Sequence, residues 1–167
     1  MVNNIMKITT SEFDINNSEI IWGKFTEFLR TIIPYEEHWA KLNECQKSAI
    51  IVYIYDSEVL REGHIGFLDL HSNYISVDDV INAMRVIGIS DKYIDNIKEI
   101  PLKKLSIDEM VDEANDEDDF ADKMDELDEM FAPFDKTYCQ LAKEDNQIQD
   151  KIAKYIYNNF SKFFEKM

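Results

Sequence analysis

Only four glycines (Gly23, Gly63, Gly66, Gly88) and three prolines (Pro34, Pro101, Pro133) interrupt this chain of 167 residues. Turn punctuation that sparse requires long elements, and the abundance of Ile, Leu, Lys, Glu and Asp makes those elements helices. The periodicity agrees. From Ser18 to Ile33, the residues Ile20, Ile21, Phe25, Phe28, Leu29, Ile32 and Ile33 recur at helical spacing, with Ser18 as N-cap and Pro34 past the end. Trp39 and Leu42 open a second pattern that runs into the apolar block Ala49 to Tyr55. Its β-branched and aromatic content would suit a strand. The polar residues at helical spacing on both sides, with no Gly or Pro between Asn43 and Glu62, favour a central helix buried nearly all round.

Gly63 and Gly66 bracket a short break, followed by one or two helical turns at Phe67, Leu68 and Leu70. Ser76 and Asp79 have the spacing of a capping box ahead of a helix that buries Val80, Ile81, Met84 and Ile87, and Gly88 stands where a left-handed C-cap belongs. Ser90 caps the next helix, which Pro101 stops. With 45% apolar and 12% aromatic residues the chain can fill one core. The expectation is an all-α, compact single-domain multi-helix bundle of about seven to nine helices over residues 1–167, with residues 1–17 expected to be flexible.

No segment approaches the roughly 20 apolar residues of a membrane span, and the N-terminus has no secretory pattern, so a cytoplasmic protein without membrane contact is expected. Cys45 and Cys139 are too far apart for a close-spaced metal or redox motif and are read as reduced thiols.

Charge is the second constraint. Fourteen of the 28 residues from Asp108 to Asp135 are acidic, against the single base Lys123, so this segment carries −13 of the chain's net −16. A surface of that sign repels phosphates, which argues against direct nucleic-acid binding and for basic partners. The charges interleave with two apolar stripes, Ile107, Met110, Val111, Ala114 and then Phe120, Met124, Leu127, Phe131, which predicts two amphipathic pieces joined by a loop or frayed end at Asn115 to Asp119. Were the whole segment helical it would span roughly 42 Å, about one charge per 3 Å, close to the roughly 3.4 Å phosphate spacing of a DNA strand. The final segment, patterned by Ile148, Ile152, Tyr155, Ile156, Phe160, Phe163 and Phe164, carries Lys151, Lys154, Lys162 and Lys166 and could lie against the acidic stretch.

Chemistry beyond charge finds little support. An EF-hand loop begun at Asp116 would place Phe120, Ala121 and Leu127 at positions that need an oxygen ligand, a Gly and a Glu. None of His38, His64 and His71 has an acid three residues before it, as a di-iron bundle would require. His64, Asp69 and His71 are loosely spaced for a metal and read as surface or helix-end residues. There is no phosphate loop, nucleophile elbow or Cys beside a His, so no catalytic residue, metal or cofactor is expected.

An ordered series of short motifs resembles the bacterial DNA-mimic protein family. Gln46-Lys47 precedes the apolar helix and Glu58-Val59 follows it; Gly63-His64-Ile65-Gly66-Phe67-Leu68-Asp69 is similar to the family's glycine-centred turn with its aromatics. Val86-Ile87-Gly88, Leu127-Asp128-Glu129-Met130-Phe131 and Tyr155-Ile156-Tyr157-Asn158-Asn159 follow in family order, so the likeness covers about residues 39–164. Arg61-Glu62 depart from the family's Asn-Gly. The resemblance implies a small all-helical homodimer that presents a DNA-like negative surface to a helix-turn-helix repressor. On that reading the contact residues are Asp112, Glu113, Asp116, Glu117, Asp118, Asp119, Asp122, Asp125, Glu126, Asp128 and Glu129, and the partner is a basic DNA-binding protein. A second reading stays open: a protein-interaction or scaffold domain that binds through apolar surface near the C-terminal aromatics, its acids only solvating it.

Overall fold

The apolar block that might have been a strand is helical. In the computed structural model, which describes residues 6–8, 18–32, 39–71, 74–100, 117–144 and 148–166, seven helices form an all-α bundle. They are α1 (Ser18–Ile32), α2 (Glu44–His71), α3 (Val77–Ile87), α4 (Asp91–Ile97), α5 (Glu117–Glu144), α6 (Ile148–Asn158) and α7 (Phe160–Phe163). A short parallel pair, β1 (Met6–Ile8) and β2 (Phe164–Lys166), sets Met6 opposite Phe164. Three-residue strands have no periodicity to read in the sequence, and the remainder of 1–17 lies outside the described residues.

The reason α2 is helical is burial. Ile50, Val52 and Tyr55 are fully enclosed and Ile51 and Ile54 nearly so. Full burial contributes about 1.5–3 kcal/mol per large side chain, which outweighs the few tenths that a β-branched residue costs a helix. The helix starts cleanly because Asn43 and Gln46 cap each other: the Asn43 side-chain oxygen accepts the Gln46 N–H at 3.0 Å, and the Asn43 N–H donates to the Gln46 side chain at 3.0 Å. The Asn43 amide also donates to the Lys162 carbonyl at 2.8 Å, tying this end to α7.

Around α2 pack α3, α5, α6 and α7. Tyr53 and Tyr55, two positions apart, face opposite sides of it. Tyr53 meets Trp22 and Phe25 of α1 at centroid distances of 5.8 and 6.0 Å, and Phe25 in turn meets Phe163 of α7 at 6.5 Å. Tyr55 meets Phe67 at 4.7 Å and Tyr138 of α5 at 5.8 Å. The core is therefore two aromatic clusters separated by one helix.

The predicted caps of α3 form. Ser76 Oγ accepts the Asp79 N–H at 3.1 Å while the Ser76 N–H donates to the Asp79 carboxylate at 2.9 Å. Gly88, at φ 82°, donates its N–H to the carbonyls of Met84 and Arg85. The break at Gly63 is a kink inside α2, with φ 73° and ψ −177°, a conformation open almost only to glycine.

Two expectations are corrected. Among the described residues, the lysine-bearing C-terminal segment packs elsewhere than on α5: α6 lies on α1 and α2, because its apolar face of Ile152, Ala153 and Ile156 completes their side of the core. Of the predicted loop or frayed end at Asn115 to Asp119, the part from Glu117 onward is helix, since acids in a first turn favour the helix dipole and α5 is anchored further along by Leu127 and Phe131; Asn115 and Asp116 lie outside the described residues. The first acidic stripe, Ile107 to Ala114, lies outside the described residues.

Candidate acidic interface on helix α5

Leu127 and Phe131 are fully buried, Met124 packs against the core, and these residues orient everything else on α5. At about 100° per residue, Asp122, Asp125 and Glu129 fall on the side away from Leu127, while Glu126 and Asp128 flank that ridge on opposite sides. All five are exposed. Phe120 shares the buried stripe's side yet is 43% exposed, which corrects its expected burial: the helix overhangs the core at this end.

Of the remaining predicted contact residues, Asp119 is half-buried with Lys123 Nζ at 3.4 Å, and Glu117 and Asp118 form the first turn. Asp112, Glu113 and Asp116 lie outside the described residues. From Glu117 to Glu129 the helix carries eight acids and one lysine over about 18 Å at the helical rise of about 1.5 Å per residue. The carboxylates thus make one ridge with two flanks.

Like charges at three- and four-residue spacing repel, here Asp122 with Asp125 and Glu126, Asp125 with Asp128 and Glu129, and Glu126 with Glu129. Each pair costs about 0.2–0.5 kcal/mol, or roughly 1–3 kcal/mol together. Burial of Leu127 and Phe131, at about 1.5–3 kcal/mol each, exceeds that and keeps the helix folded. The surface is preorganised by the core beneath it.

Beside the acidic ridge lies a polar cluster inside the protein. Asp135 Oδ1 accepts the His64 backbone N–H at 2.8 Å and also contacts the His64 ring nitrogen Nδ1. Tyr138 Oη donates to Asp56 Oδ1 at 2.9 Å. The rings of Tyr55, His64 and Tyr138 stand 5.7 to 5.9 Å apart, edge to face. Tyr55 Oη and His64 Nε2 are buried without a hydrogen-bond partner. Burial, with Asp135 adding to it, pushes the Tyr55 hydroxyl well above its usual range; burial, then the Asp56 carboxylate, does the same for Tyr138. Burial also raises the Asp56 carboxyl, against the opposing hydrogen bond from Tyr138.

His64 is thus a core residue, 1% exposed, and not a surface histidine, although it stands at the helix start that follows Gly63. Asp69 is exposed, and among the described residues no three His, Cys, Asp or Glu side chains gather as a metal would require. Sequence reasoning missed the pairing because His64 and Asp135 are 71 positions apart. The available signals were a glycine break followed directly by a histidine, and a last acid standing on the flank beside Phe131 and Tyr138. No described helix is long and apolar enough to cross a membrane.

Residues 40–159 match the family model described as DMP19-like protein. No curated protein and no solved structure matches the chain.

Proposed function

The chain belongs to the DMP19-like family of DNA mimics, and from that premise we propose that it is a non-enzymatic cytoplasmic protein whose α5 carboxylates occupy the DNA-binding face of a basic, helix-turn-helix-type regulator. The observation that carries the reading is the exposed ridge of Asp122, Asp125 and Glu129 with its flanks Glu126 and Asp128, held on a helix whose opposite side is core. Ionised carboxylates are acceptors only, as phosphates are, so Arg and Lys donors placed for a DNA backbone meet the same chemistry. Asp119, half-buried one turn before Lys123, stands at the start of the ridge.

The scaffold reading needs apolar surface near the C-terminus. Phe163 and Phe164 are buried and Phe160 half-buried, which leaves Tyr157, 41% exposed, as the exposed large apolar side chain among the described residues there. Little is left for it to use.

The test is capture from host lysate at low salt with two baits, the native chain and a variant carrying amides at Asp122, Asp125, Glu126, Asp128 and Glu129. The expected result is a basic DNA-binding protein held by the native bait, lost from the variant, released by salt and displaced by its own DNA duplex. Equal retention by both baits refutes mimicry and favours the scaffold.

A further inference from the structure

Asp135 is the last acid of the segment that dominates the charge, and by composition it would be counted with the acidic surface. Its geometry differs. At Gly63 the hydrogen-bond ladder of α2 is broken by a φ of 73°, so the turn that follows begins as a new helix start with amides to satisfy. Asp135 of α5 supplies the cap: it accepts the His64 N–H and touches the His64 ring. A carboxylate there also complements the helix dipole. The fit admits nothing between, since a Cβ on Gly63 would come within 2.7 Å of Asp135 Oδ2.

Three polar ties from α5 to the body lie close together. Asp135 reaches His64, Tyr138 reaches Asp56, and the Phe134 carbonyl accepts from Asn96 of α4 at 3.2 Å. All three follow Pro133, whereas the exposed acids Asp122 to Glu129 precede it. Pro133 has no N–H for the Glu129 carbonyl, so one backbone hydrogen bond is missing between the two halves, yet α5 runs unbroken from Glu117 to Glu144 and joins them.

We propose that Asp135 is a positioning residue: by capping the second half of α2 it fixes the pose of the acidic half of α5, so that the kink at Gly63 and the acidic ridge move as one unit. The inference deepens the reading of α5 as the binding surface and rests on it for its purpose. The coupling itself is a property of the free chain.

Amide hydrogen exchange read by NMR tests it without a partner, so an absent DNA-binding partner leaves the result unaffected. Asp135→Ala is expected to speed exchange of the His64 amide about tenfold, the size of a lost cap, with a parallel rise over Leu127 to Phe131. Asp135→Asn keeps an acceptor and is expected to restore most of that protection in both places; Asp125→Asn is expected to change neither. No change in Asp135→Ala, a change confined to His64, or an Asp135→Asn no better protected than Asp135→Ala overturns the proposal. Should Asp135→Ala fail to fold, the native chain in rising denaturant decides: one shared opening for His64 and for Leu127 to Phe131 is expected, and separate openings overturn it.

Discussion

Two tyrosines in the core offer a test in which the same chemical change has opposite consequences. Tyr55 and Tyr138 are both fully buried, and their rings meet at 5.8 Å. Tyr138 Oη donates to Asp56 at 2.9 Å, whereas Tyr55 Oη has no partner. Removing the hydroxyl from Tyr138 deletes a hydrogen bond to a half-buried carboxyl group, a loss of about 1.5–3 kcal/mol. Removing it from Tyr55 deletes a hydroxyl whose burial without a partner costs roughly 1–3 kcal/mol, offset in part by the small void left behind. Tyr138→Phe should therefore lower stability by about 2 kcal/mol, and Tyr55→Phe should leave it unchanged or raise it by up to about 2 kcal/mol. In a chain of this size the first change lowers Tm by roughly 4–8 °C. Urea unfolding followed by circular dichroism measures both, with an unchanged denaturant slope as the sign that the compared states are the same. Equal losses in the two variants would refute the assignment of partners inside this cluster.

Other outcomes follow from neighbouring features. Because burial raises the Asp56 carboxyl, folding favours its neutral form; that contribution is complete below the usual carboxylate range and is lost as pH rises through the raised value. Asp56→Asn, which keeps an acceptor for Tyr138, should then be more stable than the native chain at about pH 7 and lose that advantage near pH 3, as read by thermal melts across pH. Gly63→Ala should cost about 2 kcal/mol or more, combining a φ of 73° with the 2.7 Å approach to Asp135, whereas Gly23→Ala, in the exposed interior of α1 with open space around it, should gain about 0.5–1 kcal/mol in the same melts. Ser76→Ala should cost about 1 kcal/mol through the lost capping box, and a change within error would mean that Asp79 alone closes the turn.

The elements that could be read in advance were those with local causes. Ser76 with Asp79, and Gly88 after Ile87, act within one turn of themselves, so spacing alone located both ends of α3. The Ala49 to Tyr55 block was assigned through its flanks, and its burial on all sides then explained its composition. Where the reading missed, the cause was distant. Asn115 to Asp119 has no apolar anchor of its own, and the helix from Glu117 is held by Leu127 and Phe131 about three to four turns away. The stripe correctly placed Leu127 and Phe131 inside but could not show that Phe120 lies beyond the edge of the core. Asp56, His64, Asp135 and Tyr138 come from two helices, and nothing local joins them.

The crowding of carboxylates on α5 also decides how the protein responds to its ionic surroundings. In the free chain, Asp122, Asp125, Glu126, Asp128 and Glu129 repel one another across a helix that the core holds in place, so dissolved ions that screen them relieve the fold. In a complex the same carboxylates would face cations, and the same ions would loosen the contact. Added salt should raise the melting temperature of the chain alone while weakening its grip on a basic partner, so the condition that best preserves the isolated protein is the one least suited to finding what it binds.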